Sequence, residues 1–244
     1  MNNYPVFILA GGKGTRFPEE TKFKPKPMID ILKKPMLMHI INHYKNFGFN
    51  NFHLLAGYKH EVITDFFNKN FTKNKKFKKS FTLQGDTNVN IINTGLNTMT
   101  GGRVLRGLDF ISSDKFHVTY GDGLADVNIF KLNKFHLKNN SIATITAVMP
   151  PSKFGVLDLK YNNVKSFGEK IQASGSWING GFMVFDKKIK EYLTNDSTIL
   201  EKEPLSKLAQ QNQLNAFKHY GFWQCVDTQR EKEVLENYLR DRNK

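Results

Sequence analysis

From Tyr4 to Ala10 the chain is apolar at every position, and the run stops at Gly11-Gly12. A short run without polar alternation predicts a buried strand feeding a glycine turn. Between Pro35 and Phe47 the pattern changes, with Met36, Ile40, Tyr44 and Phe47 recurring at steps of four, four and three before Gly48. That is the period of an amphipathic helix with a stop signal behind it. A second strand is predicted at Phe52 to Ala56, ending at Gly57, and a second helix from about Glu61 to Phe67. The alternation of strand, loop and helix predicts an α/β fold with a mostly parallel sheet covered by helices, and ligands at the carboxyl ends of its strands.

Further strands are predicted at Asn90 to Thr94, Phe116 to Tyr120, Ile142 to Val148, Gly155 to Leu159, Val164 to Phe167 and Phe182 to Phe185. Between Ile142 and Phe185 the spacing is too tight for long crossovers, so this stretch should be richer in antiparallel pairing and form a second lobe. The last segment opens with Thr228-Gln229-Arg230-Glu231, a capping box, and carries Val234, Leu235, Tyr238 and Leu239 on one face, which predicts a terminal helix. With no internal repeat and no linker-like stretch, residues 1–244 read as one domain: a core over about 1–138, a smaller lobe over about 139–227, and the helix at 228–244.

Composition narrows the class. The hydrophobic fraction of 39% supports a packed globular chain, and no apolar run approaches the roughly 20 residues that cross a bilayer. The N-terminus lacks a basic segment before its short apolar run, and Cys225, the single cysteine, has no partner for an internal disulfide; a cytoplasmic protein is expected. The net charge of +14 favours anionic partners. Nucleic acid is not the expected one, because the lysines are scattered among asparagines along the whole chain, and the densest basic stretch, Lys73 to Lys79, reads as a solvated loop.

The clearest chemical signal is Leu9-Ala10-Gly11-Gly12-Lys13-Gly14-Thr15-Arg16, followed by Lys26 within Lys24-Pro25-Lys26-Pro27-Met28. Glycines after a strand let backbone N–H groups approach phosphate oxygens, and Arg16 adds a planar fork of donors. The spacing matches neither the P-loop nor the dinucleotide fingerprint. Pro25 and Pro27 should hold the backbone at Lys26 extended and restrict where its ammonium points. Taken alone, these glycines also fit a plain connecting turn, and Lys26 a surface lysine in a stiff loop. Asp122, between Gly121 and Gly123 after an apolar strand, and Asp227, just before the cap of the last helix, are candidate oxygen ligands for a hard cation. An ordinary turn aspartate and a helix-cap carboxylate are the alternatives. His39, His60 and His219 lack metal-ligand spacing, and Cys225 reads as a small packing residue.

Together, LAGGKGTR, EETKFKPKPM, NTMTGGR, YGDG, WINGGF and GFWQCVDT resemble the sugar nucleotidyltransferase superfamily, and specifically its glucose-1-phosphate cytidylyltransferases, from about Phe7 to Arg230. The resemblance implies a Rossmann-like core with a sugar-binding lobe, CTP and glucose 1-phosphate as substrates, CDP-glucose as product for deoxysugar and surface-polysaccharide synthesis, and a homo-oligomer. It implies nucleotide contacts from Leu9, Ala10, Gly11, Gly12, Gly14, Thr15, Arg16, Lys26, Thr100, Gly101, Gly102 and Arg103, with Arg16, Lys26 and Asp122 as catalytic residues. Asp122 and Asp227 would share Mg²⁺, while Gly155, Glu169, Lys170, Asn179 and Gly180 would meet the sugar phosphate. Three places depart from the family pattern: Gly168-Glu169-Lys170-Ile171 stands for Gln-Glu-Lys-Pro, Leu32-Lys33-Lys34-Pro35 for a Gly-Gly-Lys-Pro turn, and the connection after Phe71 is shorter than usual. Another nucleotide, another phosphorylated sugar or polyol, and a non-catalytic anion- or RNA-binding role are the competing readings.

Overall fold

The computed structural model describes residues 4–73, 79–150, 156–168 and 177–242. Its strands are β1 (Val6–Ala10), β2 (Asp30–Ile31), β3 (Lys34–Pro35), β4 (Asn51–Ala56), β5 (Thr72–Lys73), β6 (Ser80–Leu83), β7 (Thr87–Asn93) and β8 (Lys115–Tyr120). They continue with β9 (Gly123–Ala125), β10 (Ala143–Val148), β11 (Val156–Lys160), β12 (Asn163–Gly168), β13 (Ile178–Asp186), β14 (Leu214–His219) and β15 (Trp223–Cys225). The α-helices are α1 (Pro18–Thr21), α2 (Met36–Lys45), α3 (His60–Asn70), α4 (Thr100–Gly107), α5 (Ile129–Asn139), α6 (Glu203–Gln210) and α7 (Gln229–Arg242).

Nine strands form one mixed sheet in the order β14-β10-β13-β8-β1-β4-β7-β6-β5. Its centre is parallel, with β1 between β4 and β8 and β7 beyond β4. The unbroken apolar run of β1 follows from burial on both faces: Val6, Ile8 and Ala10 enter one core, and Phe7 and Leu9 enter the other. Because the chain continues from β1 to β4 on one side and returns through β8 on the other, the carboxyl end of β1 is a topological switch point, the usual place for a ligand crevice.

Between Ile142 and Phe185 the tight spacing resolves into antiparallel pairs, β10 with β13 and β11 with β12. Within 139–227, β10, β13 and β14 belong to the central sheet, while β11 and β12 form a separate hairpin. The β2–β3 hairpin turns at Leu32 and Lys33, whose φ angles are 49° and 63°. Positive φ at both central residues suits Asn-Gly and costs a side chain about 1 kcal/mol or more per position. The Leu32→Asn/Lys33→Gly double variant is therefore expected to unfold later in urea, gaining about 1–2 kcal/mol.

Three buried histidines give the fold a pH dependence. Burial pushes His117 down to about 3, and His53 and His136 each to about 4, from an ordinary value of 6.5. Below pH 6.5 the unfolded chain takes up protons that the folded one refuses, so stability falls on acidification from 6.5 toward 4 and is insensitive to these groups above that window. The expected slope is roughly 1.4 kcal/mol per pH unit per histidine. Urea unfolding at pH 7.5 and pH 5 checks it; equal stability at the two would show that the rings accept protons in the folded state.

Candidate active site

The loop leaving β1 is held from beneath. Arg103, on α4 and 4% exposed, donates from Nη2 to the Gly11 carbonyl at 3.0 Å and from Nη1 to the carbonyls of Ala56 at 3.1 Å and Gly95 at 2.9 Å. Nη1 also reaches the Thr94 hydroxyl at 2.5 Å. The guanidinium lies so close to Gly11 that a Cβ there would sit 2.1 Å from Nη1, which is why this position has no side chain. Burial lowers the Arg103 pKa to about 10, with Arg106 adding to the effect, and the group stays charged at neutral pH. The Tyr58 N–H also donates to the Gly11 carbonyl at 3.1 Å, and the Thr21 hydroxyl to the Gly14 carbonyl at 2.9 Å. These ties fix the loop's carbonyls against the protein.

Pro25 is extended, but Lys26, expected between its two prolines to be extended as well, instead opens a single 3₁₀ turn, Lys26–Met28. Pro27 is tolerated there because the first turn of a helix does not use its missing N–H. The turn buries Lys26 to 7% exposure, and its Nζ donates to Asp122 Oδ2 at 2.8 Å and to Asp227 Oδ1. Arg16 donates to the other oxygen of Asp227 at 2.7 Å. Burial opposes the Lys26 charge, but the two carboxylates outweigh it and raise the pKa.

Asp122 follows β8, whose end is joined to that of β1 by the bond from Gly121 N–H to the Leu9 carbonyl at 3.0 Å. Asp227 is positioned by the start of α7. The Thr228 hydroxyl accepts from Glu231 N–H at 3.3 Å, whereas the Glu231 carboxylate takes the N–H of Asp227 at 2.7 Å, one residue before the cap. The capping box thus clamps the backbone of Asp227 itself. Carboxylates 105 positions apart meet on one ammonium, so their oxygens can meet on one cation. Among the described residues no group of three or more His, Cys, Asp or Glu side chains forms a metal cage. A hard cation here would complete its shell with phosphate oxygens and water, the usual arrangement for magnesium.

These groups line a cleft of about 760 Å³, a size suited to a nucleotide-sized ligand. Leu9, Ala10, Gly11, Gly12, Gly14, Thr15, Arg16, Lys26, Thr100, Arg103, Asp122, Asn179 and Asp227 all border it, so the structure gathers most of the residues singled out from sequence. Others lie elsewhere. Gly101 and Gly102 pack α4 against the segment around Asp196 and Thr198, where a Cβ on either would come within 2.8 Å of backbone. The Gly180 carbonyl accepts the Trp223 indole N–H at 2.9 Å. Gly155, Glu169 and Lys170 lie outside the described residues, as does most of the basic stretch 73–79. The cleft also holds Tyr120, Glu201 and Trp223, which the sequence reading did not select. Tyr120 precedes Asp122 by two and was legible from that spacing, whereas Glu201 sits in a polar stretch with no periodic signal.

A central parallel sheet whose switch point carries a glycine loop, two lysine-bridged aspartates and a nucleotide-sized cleft defines a nucleotidyltransferase, and the chain belongs to the nucleotidyl transferase family, whose model matches residues 6–231. Over 239 residues it is 42% identical to glucose-1-phosphate cytidylyltransferase of Salmonella typhimurium, covering 94% of this chain and 93% of that protein. It is 40% identical to the probable glucose-1-phosphate cytidylyltransferase of Bacillus subtilis, covering 94% and 92%. Among solved structures it resembles HddC from Yersinia pseudotuberculosis complexed with GMP-PN, at 26% identity and a TM-score of 0.73 over 97% of this chain and 99% of that one. A UDP-glucose pyrophosphorylase complexed with UDP-glucose shares the fold at 17% identity and a TM-score of 0.73, covering 98% and 99%. No helix among the described residues is long and apolar enough to cross a membrane.

Proposed function

We propose that the protein transfers a cytidylyl group from CTP to α-D-glucose 1-phosphate, giving CDP-glucose and pyrophosphate. A phosphate oxygen of the sugar phosphate bonds to the α-phosphorus, and the bond from that phosphorus to the bridging oxygen of pyrophosphate breaks. The second ionisation of a phosphate monoester lies near roughly 6, so the nucleophile needs no general base. The obstacle is repulsion between two polyanions, which calls for alignment and charge neutralisation. The observation that carries this reading is the convergence of Arg16, Lys26, Asp122 and Asp227 beside the glycine loop, in a chain of this family.

In this scheme the backbone N–H groups of residues 11–15 and the Arg16 guanidinium hold the β- and γ-phosphates, and Lys26 places its charge on the α-phosphate or the incoming phosphate. Nucleotidyltransferases of this family typically use a divalent metal, and we assign Mg²⁺ to Asp122 and Asp227, where it supplies positive charge to the triphosphate. Arg103 fixes Gly11 through Nη2 and Ala56, Thr94 and Gly95 through Nη1, and from the same wall of the cleft it serves the base or a phosphate of the nucleotide. The backbone groups of Leu9 to Gly11 and of the stretch from Thr100 read cytosine. Asn179, with Gly180, Gly155, Glu169 and Lys170, serves the hexose and its phosphate by the same family likeness.

Pyrophosphate release is to be followed with glucose 1-phosphate, Mg²⁺ and each of CTP, UTP, GTP and dTTP. CTP is expected to be preferred by kcat/KM. Preference for another nucleotide would keep the reaction class and overturn the base, and release with none would remove the proposal.

A further inference from the structure

Glu201 lies just before α6, its side chain exposed to the cleft, and its carboxylate is built into a network. One oxygen accepts the Tyr120 hydroxyl at 2.5 Å and the other accepts the Thr100 hydroxyl at 2.6 Å. Thr100 is fixed in turn by accepting Leu200 N–H at 3.0 Å, and Tyr120 by accepting from the Asn179 amide at 3.2 Å. Asn179 is oriented by Gly181 N–H, which donates to its Oδ1 at 2.9 Å. Three cleft-lining side chains, Tyr120, Thr100 and Asn179, thus hold one carboxylate in a set plane.

A carboxylate oxygen accepts more than one hydrogen bond, so each oxygen of Glu201 retains accepting capacity after Tyr120 and Thr100 are bound. The occupant must bring donors and no negative charge to this point, which excludes the phosphates. Leu96 and Met99 give the cleft an exposed apolar wall suited to the ring face of a base, whereas the Glu201 cluster offers only hydrogen-bonding groups. Adjacent hydroxyls of a pyranose present two donors side by side, matching the two oxygens of a carboxylate.

From this we infer that Glu201 is a specificity-determining residue for the sugar, accepting hydroxyl protons of the hexose while Tyr120, Thr100 and Asn179 hold it in place. The inference rests on the nucleotidyl-transfer reading of the same cleft. It predicts a preference for a polyhydroxylated sugar phosphate over simpler phosphate esters, because a bound ligand lacking the matched hydroxyl displaces water from the carboxylate without replacing its donor.

The test compares the parent protein and Glu201→Gln on glucose 1-phosphate and its 2-, 3-, 4- and 6-deoxy analogues, using whichever nucleotide the parent turns over. The substitution keeps the shape of the side chain and removes its charge. For glucose 1-phosphate, kcat/KM is expected to fall about 10- to 100-fold, as for loss of a hydrogen bond to a charged group, with the KM for the nucleotide within about 3-fold of the parent. For at least one deoxy analogue the two proteins should be nearly equal, which identifies the hydroxyl that Glu201 accepts. Thr100→Val, which frees one side of the carboxylate, should show the same pattern of analogues with a smaller loss. An equal loss on every analogue would mean that Glu201 only supports the cleft wall. A raised nucleotide KM with unchanged sugar dependence would make it a base contact, and either result overturns the inference while leaving the reaction standing. Absence of turnover by the parent with every nucleotide removes both.

Discussion

Lys26→Ala and Asp122→Asn are each expected to lower turnover by ~100-fold or more while the far-ultraviolet spectrum stays that of the parent. Among the described residues Lys26 bridges Asp122 and Asp227, and its buried ammonium is fixed by a short 3₁₀ turn. In the proposed reaction the same charge faces phosphate, so its removal raises the energy of the transition state and should reduce kcat. Asp122→Asn keeps the hydrogen-bond acceptor for Lys26 but gives up the charge that a cation requires. Its defect should be partly relieved by raising Mg²⁺, whereas that of Lys26→Ala should not. Turnover within a few-fold of the parent for either variant would show that the cluster is structural.

Arg103→Ala is expected to be the most destabilising single change near the site. It removes a buried group that serves three carbonyls and a hydroxyl, and it leaves a cavity beneath Gly11. Gly11 keeps the Tyr58 N–H and Ala56 the Thr94 N–H and hydroxyl, so the cost comes from the lost bonds to a charged donor, from the Gly95 carbonyl and from the cavity, and a net loss of about 3 kcal/mol is expected. For a chain of this size that lowers Tm by roughly 6–12 °C. Arg103→Lys should not restore it, because one ammonium lacks the forked geometry that spans acceptors on both sides of the loop. A variant that melts with the parent would mean that the loop is held by Tyr58 and Thr21 alone.

The parallel centre of the sheet was readable because β1 and β4 are apolar and end at glycine, and α2 because its four apolar residues keep a helical step. α4 was not, since three of its eight residues are glycine and argue against a helix. Their reason lies in tertiary contact, where Gly101 and Gly102 let the helix approach the Asp196–Thr198 segment. α5 was hidden for another reason: lysines and asparagines dilute its apolar face, and His136 fills a core position usually taken by an aliphatic residue. At the site, motif spacing was enough to select Lys26, Asp122 and Asp227. It could not show that Lys26 joins the two aspartates, because that pairing depends on α7 returning beside the end of β8. Nor could it show that Arg103, chosen as a ligand contact and bordering the cleft, also holds the loop from below through Gly11, Ala56, Thr94 and Gly95.

In the proposed reaction Asp122 and Asp227 form a cation site completed by the triphosphate of CTP. Calorimetric titration of CTP into the protein, with Mg²⁺ and with the metal chelated, tests it most directly. Binding at least 10-fold tighter with Mg²⁺ is expected, with loss of that difference in Asp122→Asn. Equal affinity in the two conditions, or a magnesium effect that survives removal of the Asp122 charge, would contradict it.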